Sequence, residues 1–355
     1  MDNYKNHSWA PFEGYYTRVD LESGSSLIFI ICTVPNAQRR AHNITLTYVN
    51  SDGQIWQHEE FPHNSKFEQF LDGNGFRFVH FQENSTLSLN AAPDQTTIID
   101  KVGNDINVQL NMKDFTFWSS RSPSLFNPKP TSPEKILNYL PLPLHWHVYS
   151  LQSACKAQLS LPADARMNPA DADSTGLAHQ EKNWAMSFPP AHIWLQARQP
   201  GHGISLAGGK TMGQQAFLMG YRNDAKGLEV DFRPPFAMKF FNIWGPFMST
   251  TIDWESRVFE LDVSDFTTRM VVKASAPKGT FYSLSGPFPD GHRHNWLAQS
   301  LRGTVSVEVY KRRGWWPFGG WELVCTDVLD KCGLEFGGEY YPHRGEGKAG
   351  VMEIH

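Results

Sequence analysis

The chain has 355 residues, 40% of them hydrophobic and 13% aromatic, including 12 Trp, 24 Phe and 11 Tyr. Charged residues make up only 19%, 32 basic against 36 acidic, for a net charge of -4; that leaves no basic excess for a phosphate backbone. The composition excludes coiled coils, disulfide miniproteins and global disorder and points to aromatic walls around a large core.

Strand periodicity runs through nearly the whole sequence. Met1 to Ala10 carries Asp2, Lys5 and two Asn, so it offers no apolar signal region, and the compartment stays open. The longest apolar run, Leu27 to Val34, is far short of the roughly 20 residues of a membrane span and reads as a buried strand. Ile44 to Val49, Phe76 to Phe81, Asn107 to Phe117, Gly227 to Phe232 and Thr304 to Tyr310 alternate or are β-branched and aromatic. Asp52-Gly53, between Tyr48 and Trp56, predicts a hairpin. Ser122 to Pro143 holds six prolines and reads as a long loop, with one short helix at Ser132 to Leu140. Pro162 to Gly176 is small, polar and Pro-bounded, as linkers are. The domain boundary is placed there, giving domains 1–165 and 166–355. Leu206 to Thr211 lacks phosphate-loop spacing and reads as a β-turn. From His343 onward a Gly-rich tail is expected to fray. Many short strands with close turns imply an all-β antiparallel sandwich or barrel.

Four cysteines are too few for a disulfide framework. Cys325 and Cys332 would face each other across a hairpin, and two buried thiols are an equal alternative. Sequons at Asn6, Asn43 and Asn84 are as many as chance supplies.

Leu144 to Tyr149 places His145, His147 and Tyr149 on one strand face and Trp146 and Val148 on the other. His292-Arg293-His294-Asn295-Trp296 repeats the H-x-H spacing. Two such pairs would make a metal site if they converged, but with no nearby Asp or Glu to complete the set, ordinary strand histidines are the stronger reading. Glu181 and Lys182 point to opposite faces of one strand and so are not partners by default. A carboxyl or ammonium in an aromatic cavity has its pKa moved toward neutrality, as a general acid or base requires; an inter-domain salt bridge is the plainer alternative. No nucleophile elbow, Cys/His nucleophile pairing or dinucleotide fingerprint is present.

An ordered set of motifs resembles a known family. Phe12-Glu13-Gly14-Tyr15-Tyr16 looks like its F-E-G-W-Y signature, with Tyr15 in place of Trp, and Leu144-His145-Trp146 like its P-H-W strand. Glu181-Lys182-Asn183-Trp184, followed by Phe188-Pro189, resembles E-K-N-W-G-G-G-F-P. Trp194-Leu195-Gln196, Leu206-Ala207-Gly208-Gly209 and Leu334-Glu335-Phe336-Gly337-Gly338 resemble W-V-Q, a following A-G-G turn and the closing V-E-I-G-G. The chain is similar to the tocopherol cyclase family, within the wider group of two-domain lipocalin-like cyclases and hydratases.

The resemblance implies two lipocalin-like antiparallel barrels or half-barrels packed side by side, a reaction pocket near their interface, and cyclisation without a cofactor or metal. Ala185-Met186-Ser187 replaces the triple glycine, which reshapes the pocket and turns the expectation from tocopherol toward the fungal hetero-Diels–Alder branch. Enzymes of that branch join a tropolone-derived o-quinone methide to a terpene alkene. Acid-catalysed cyclisation of one prenylated phenol and a non-catalytic carrier of an apolar ligand are the alternatives. The expected catalytic residues are Glu181, Lys182, His145, His147 and His294. Tyr16, Tyr149, Trp184, Trp194, Gln196 and Trp296 are expected to bind substrate. Expected partners are apolar terpenoid and quinone-methide-type small molecules, with no nucleic acid and no membrane span; a homodimer stays open.

Overall fold

Residues of alternating burial, rather than a helical repeat, set the backbone, and the chain folds almost wholly as antiparallel strands. The structure, a computed structural model, describes residues 7, 9–63, 65–69, 75–82, 84–119, 132–135, 137, 144–211, 213–239, 246–314 and 319–345. Among them are no α-helices, only short 3-10 turns, and no helix is long and apolar enough to cross a membrane.

The first sheet contains β1 (Phe12–Leu21), β2 (Ser26–Thr33), β3 (His42–Val49), β4 (Ile55–Glu60), β5 (Ser65–Gln69), β6 (Phe76–Gln82), β7 (Ser85–Ala91), β8 (Gln95–Val102), β9 (Ile106–Thr116), β10 (Leu144–Ser160) and β11 (Asp173–Ala185). Their order is β4-β3-β2-β1-β11-β10-β9-β8-β7-β6-β5. The sheet wraps one apolar core to which β1, β2, β3, β6, β7, β8, β9, β10 and β11 all contribute, including Val19, Leu27, Leu46, Phe78, Leu89, Leu110 and Ala157. Each fully buried Leu, Ile or Phe there contributes about 1.5–3 kcal/mol. Ser85 Oγ donates to Glu60 Oε1 at 2.8 Å, so β4 meets β7 across the curl. The predicted hairpin joins β3 to β4, with Gly53 at φ 91° and its N–H on the Asn50 carbonyl at 2.9 Å.

The second sheet contains β12 (Ala191–Gln199), β13 (His202–Thr211), β14 (Gln214–Asn223), β15 (Leu228–Phe232), β16 (Met238–Lys239), β17 (Met248–Asp253), β18 (Val258–Ser264), β19 (Thr268–Ser275), β20 (Tyr282–Phe288), β21 (Gly291–Arg312) and β22 (Trp321–Gly338). Its main path is β15-β14-β13-β12-β22-β21-β19-β18-β17, with β16 on β14 and β20 on β21. Leu195, Phe217, Phe259, Val272, Val307 and Phe336 build its core.

The chain divides into two units, Met1–Phe188 with Ser285–Arg293, and Pro189–Leu284 with His294–Lys348. This corrects the boundary expected at 165/166. The presumed linker holds two 3-10 turns and the first residues of β11. It is tied into the first unit, where Asp171 is fully buried and accepts from Tyr48 Oη at 2.7 Å. Because β11 lies between β1 and β10, the first unit cannot end before it.

Leu206 to Thr211 is also corrected: it lies inside β13 rather than in a turn. Gly209 is there because β12 comes close. A Cβ on it would sit 2.1 Å from the Ala191 carbonyl oxygen and 2.6 Å from His192 Cα. Gly209→Ala is therefore expected to destabilise the chain by more than about 2 kcal/mol, read as a lowered urea midpoint.

All four cysteines are buried free thiols, so of the two readings of Cys325 and Cys332 the unbridged one holds. The Asn43 sequon is buried, with Nδ2 donating to Glu59 at 3.0 Å, whereas Asn84 lies exposed in a turn. The Asn6 sequon, most of the Ser122–Pro143 stretch and the tail beyond residue 345 lie outside the described residues. Of the expected helix at Ser132–Leu140, residues 132–135 and 137 are described and form a turn, Leu137 N–H donating to the Glu134 carbonyl at 3.0 Å.

Candidate functional site

Period-two alternation along β1, β10 and β11 puts Glu13, Tyr15, His145, His147, Lys182 and Trp184 on the same side of three neighbouring strands. The register aligns Glu13 with Trp184 and Tyr15 with Lys182. On the other side of β11 it aligns His145 with Trp184 and His147 with Lys182. Tyr15 and Tyr149 belong to the apolar core, so this is the inward face.

The centre is a buried ion pair. Lys182 Nζ contacts Glu13 Oε1, with the lysine fully buried and the glutamate 3% exposed. The ammonium lies 5.2, 5.8 and 5.4 Å from the ring centroids of Tyr15, Phe76 and Trp184, within cation–π range. His7 completes the carboxylate's shell, its backbone N–H reaching Oε2 at 2.9 Å and its Nδ1 lying 3.1 Å from Oε1. Burial alone would raise the Glu13 carboxyl; the Lys182 ammonium and the bonds from His7 and Lys182 outweigh it and hold the group below its ordinary value. Burial, then the Glu13 charge, pushes the Tyr15 phenol well above its usual range, and burial raises the Cys32 thiol. Both stay protonated, so neither is a ready nucleophile.

Trp184 links this pair to a second carboxylate–imidazole pair. His7 stacks on it at 3.9 Å and His145 at 5.0 Å, with interplanar angles of 4° and 15°, and His147 is tilted against it at 4.8 Å. His145 Nδ1 lies 2.9 Å from Glu134 Oε2, while Glu134 Oε1 accepts the Trp146 N–H at 2.7 Å. Trp146, on the opposite face of β10, packs edge-on against Trp118 at 5.4 Å. Two carboxylate–imidazole pairs and an ammonium thus meet around one indole. The arrangement can donate hydrogen bonds to an oxygen that gains negative charge, and it can pass a proton through either imidazole.

Of the eleven expected site residues, Lys182, His145, His147 and Trp184 come together, and Tyr149 lies on the same face within the core. Glu181 does not join them, because it points to the other face of β11, where its Oε2 lies 3.0 Å from His179 Nε2. Tyr16 is its cross-strand neighbour on that face. Trp194, Gln196, His294 and Trp296 belong to the second unit. There Trp194 is opposite Glu335, whose carboxylate holds His192 Nε2 at 2.9 Å and accepts from Gln299 at 3.0 Å. Gln196 is buried on the same face of β12. Between His294 and Trp296 the strand is irregular at Asn295, which has φ 48° and is fixed by the His343 carbonyl and Tyr341 Oη. The His145/His147 and His292/His294 pairs make no ligand set. His292 Nδ1 lies 2.6 Å from the Arg40 carbonyl, and the described residues contain no group of three or more His, Cys, Asp or Glu arranged to hold a metal.

Sequence reasoning missed Glu13, His7 and Glu134 as site residues. Glu13 stood inside the F-E-G motif, two residues before Tyr15 and hence on its face, which was the available signal. Glu134 was hidden in the Pro-rich stretch.

No protein-family profile matches the sequence, and no curated protein matches it. Comparison with solved structures does find the fold. The chain is similar to CghA, with a TM-score of 0.61 at 13% identity over 96% of this chain and 90% of that one. CghA crystallised with Sch210972 gives a TM-score of 0.60 at 13% identity, over 92% and 88% of the two chains. Kievitone hydratase from Nectria haematococca gives a TM-score of 0.45 at 8% identity over 96% and 92%. The all-β, lipocalin-like architecture implied by the sequence motifs is thus the fold this chain shares with CghA.

Proposed function

We propose that the chain is a cofactor-free cyclase or pericyclase of secondary metabolism, closing a dihydropyran ring between an o-quinone methide, tropolone- or phenol-derived, and a terpene alkene. The observation that carries this reading is the Lys182 ammonium, fully buried, anchored on Glu13 and ringed by Tyr15, Phe76 and Trp184. A hetero-Diels–Alder step forms one C–O and one C–C bond and releases nothing, so it needs neither a nucleophile nor a leaving-group acid. It needs the two reactants held in a reactive pose, which alone can supply several kcal/mol. It also needs a donor aimed at the dienone oxygen, where negative charge develops. Lys182, His145 and His147 supply the donors in this reading, and Trp184 and Tyr149 the walls. Glu181, with His179 and Tyr16 on the other face of β11, has no role in this reading.

The carboxylate–imidazole pairs Glu13–His7 and Glu134–His145 favour a second reading, proton-driven cyclisation of one prenylated phenol. Purified, EDTA-treated protein is to be given a hydroxymethyl-tropolone or phenolic quinone-methide precursor with a humulene-type alkene, and the product resolved by chiral chromatography. One enantiomer formed above background supports the pericyclic reading, and racemic product at the background rate rejects it. Turnover of a prenylated phenol alone would support the second reading, and tight ligand binding without product a carrier.

A further inference from the structure

The first unit has a second polar region on its inward face, apart from the Lys182 centre. Asp100, on β8, is 1% exposed and shares its strand face with Thr96 and Ile98. Its cross-strand neighbours are Leu87 on β7 and Val108 on β9, both apolar and buried. Both of its carboxyl oxygens are buried without a side-chain hydrogen-bonding partner among the described residues, and the neighbouring Lys101 backbone N–H is the one hydrogen-bonding group that acts on them. Proteins seldom leave such a group unsatisfied unless water or a ligand completes it.

Two imidazoles share the condition. His42 Nδ1 on β3 and His58 Nε2 on β4 are buried and also lack a hydrogen-bonding partner among the described residues. Glu60 joins these groups. It is two residues from His58 on one strand face, it is opposite Ile44 and so diagonal to His42, and it accepts from Ser85 of β7. Its charge is felt at Asp100. From β6, His80 is opposite Leu87 and fully buried. Glu60 and His58 from β4, His42 from β3, His80 from β6 and Ser85 from β7 therefore share the inward face with Asp100, while β9 contributes only apolar neighbours.

We propose that this end of the first unit's interior is a binding site for the oxygenated head of a neutral, otherwise apolar ligand, with Asp100 hydrogen-bonding a ketone or hydroxyl oxygen and His42 and His58 completing the polar lining. Charge supports that chemistry. Burial, reinforced by Glu60, pushes the Asp100 carboxyl up to about 7, so below that pH it is a donor as well as an acceptor. Burial lowers both His42 and His58, which are neutral near pH 7. Neutral groups against Leu87 and Ile98 suit an aryl or alkyl ketone or a phenol better than an ion. The site stands whether the chain is a cyclase or a carrier.

The test uses the full chain and three probes with one apolar body: naphthalene, 2-acetylnaphthalene and 2-naphthol, titrated by fluorescence and calorimetry at pH 6 and pH 8. The wild type is expected to prefer 2-acetylnaphthalene to naphthalene about tenfold at pH 6. That preference should largely vanish at pH 8, where the ionised carboxylate no longer donates, while 2-naphthol keeps its advantage. Asp100→Asn, which retains a donor, is expected to make the ketone preference independent of pH. Asp100→Leu should abolish both preferences yet still bind naphthalene. A preference that survives in Asp100→Leu, equal binding of the three probes by the wild type, or no binding of any would overturn the proposal and leave Asp100 as a hydrated group. If Asp100→Leu fails to fold, the Asn variant and its pH profile decide alone.

Discussion

Lys182→Met is expected to lower the free energy of unfolding by about 3–5 kcal/mol, because it leaves the Glu13 carboxylate buried with its main counter-charge gone. His7 would remain as a partner, but one ring nitrogen and one backbone N–H replace an ammonium poorly. Adding Glu13→Gln to Lys182→Met removes the stranded charge and is expected to recover most of the loss, since apolar or neutral replacements of a buried ion pair are often close to neutral. Urea unfolding at pH 7, followed by circular dichroism, checks both values; a single-variant cost under about 1 kcal/mol would mean that the pair is not truly desolvated. The acid limb gives an independent reading. The folded Glu13 carboxyl is held below its ordinary value, so its contribution is present above the unfolded carboxylate pKa and is lost as the pH falls through the lower folded one. The double variant should therefore lose less stability on acidification than the wild type. It also separates stability from chemistry: a folded double variant that forms product about a hundredfold more slowly would place Lys182 at the developing oxygen charge, whereas unchanged turnover would remove it from that role.

Much of the fold was legible because strands write their period directly into the sequence. The face shared by His145, His147 and Tyr149, and the opposition of Glu181 to Lys182, both follow from a period of two and both are present in the structure. What was not legible depends on contacts between distant segments. Nothing local tells that β1 and β11 pair, yet that pairing alone brings Glu13 to Lys182. Glu134 sits in a stretch whose prolines signal a loop, and its function as the acceptor for His145 and Trp146 rests on a contact with β10 that no local pattern encodes. Small polar residues in Pro162–Gly176 look like a linker because composition cannot distinguish a free segment from one tied by Asp171 to Tyr48. Gly208 and Gly209 suggested a turn because glycine is a turn former; here Gly209 answers the close approach of β12. Asp100 follows two adjacent isoleucines, which blurs the alternation that would have marked it as inward-facing.

Asp100→Asn is expected to stabilise the chain at pH 8 by up to about 4 kcal/mol and to leave it unchanged at pH 4. The folded carboxyl titrates at about 7, against 3.8 for the ordinary group, because burial and then the Glu60 charge disfavour its ionised form. Between those two values the folded chain retains a proton that the unfolded chain has released. The folded state then binds more protons, so the unfolding free energy falls as the pH rises through this window and levels off above about 7. The stability linked to Asp100 is thus complete below the unfolded pKa and lost as the pH passes the folded one. An asparagine has no such linkage, and the two curves should diverge between pH 4 and pH 7 and run parallel beyond. His42 and His58 act in the opposite sense. Burial lowers them, so they weaken the fold as acid protonates the unfolded chain, and because both are present in both proteins they cancel in the difference. The measurement is the difference in unfolding free energy between wild type and Asp100→Asn across pH 4 to 8. A flat difference would show that Asp100 ionises as freely as an exposed carboxylate, and the ketone-binding site argued from its burial would lose its donor.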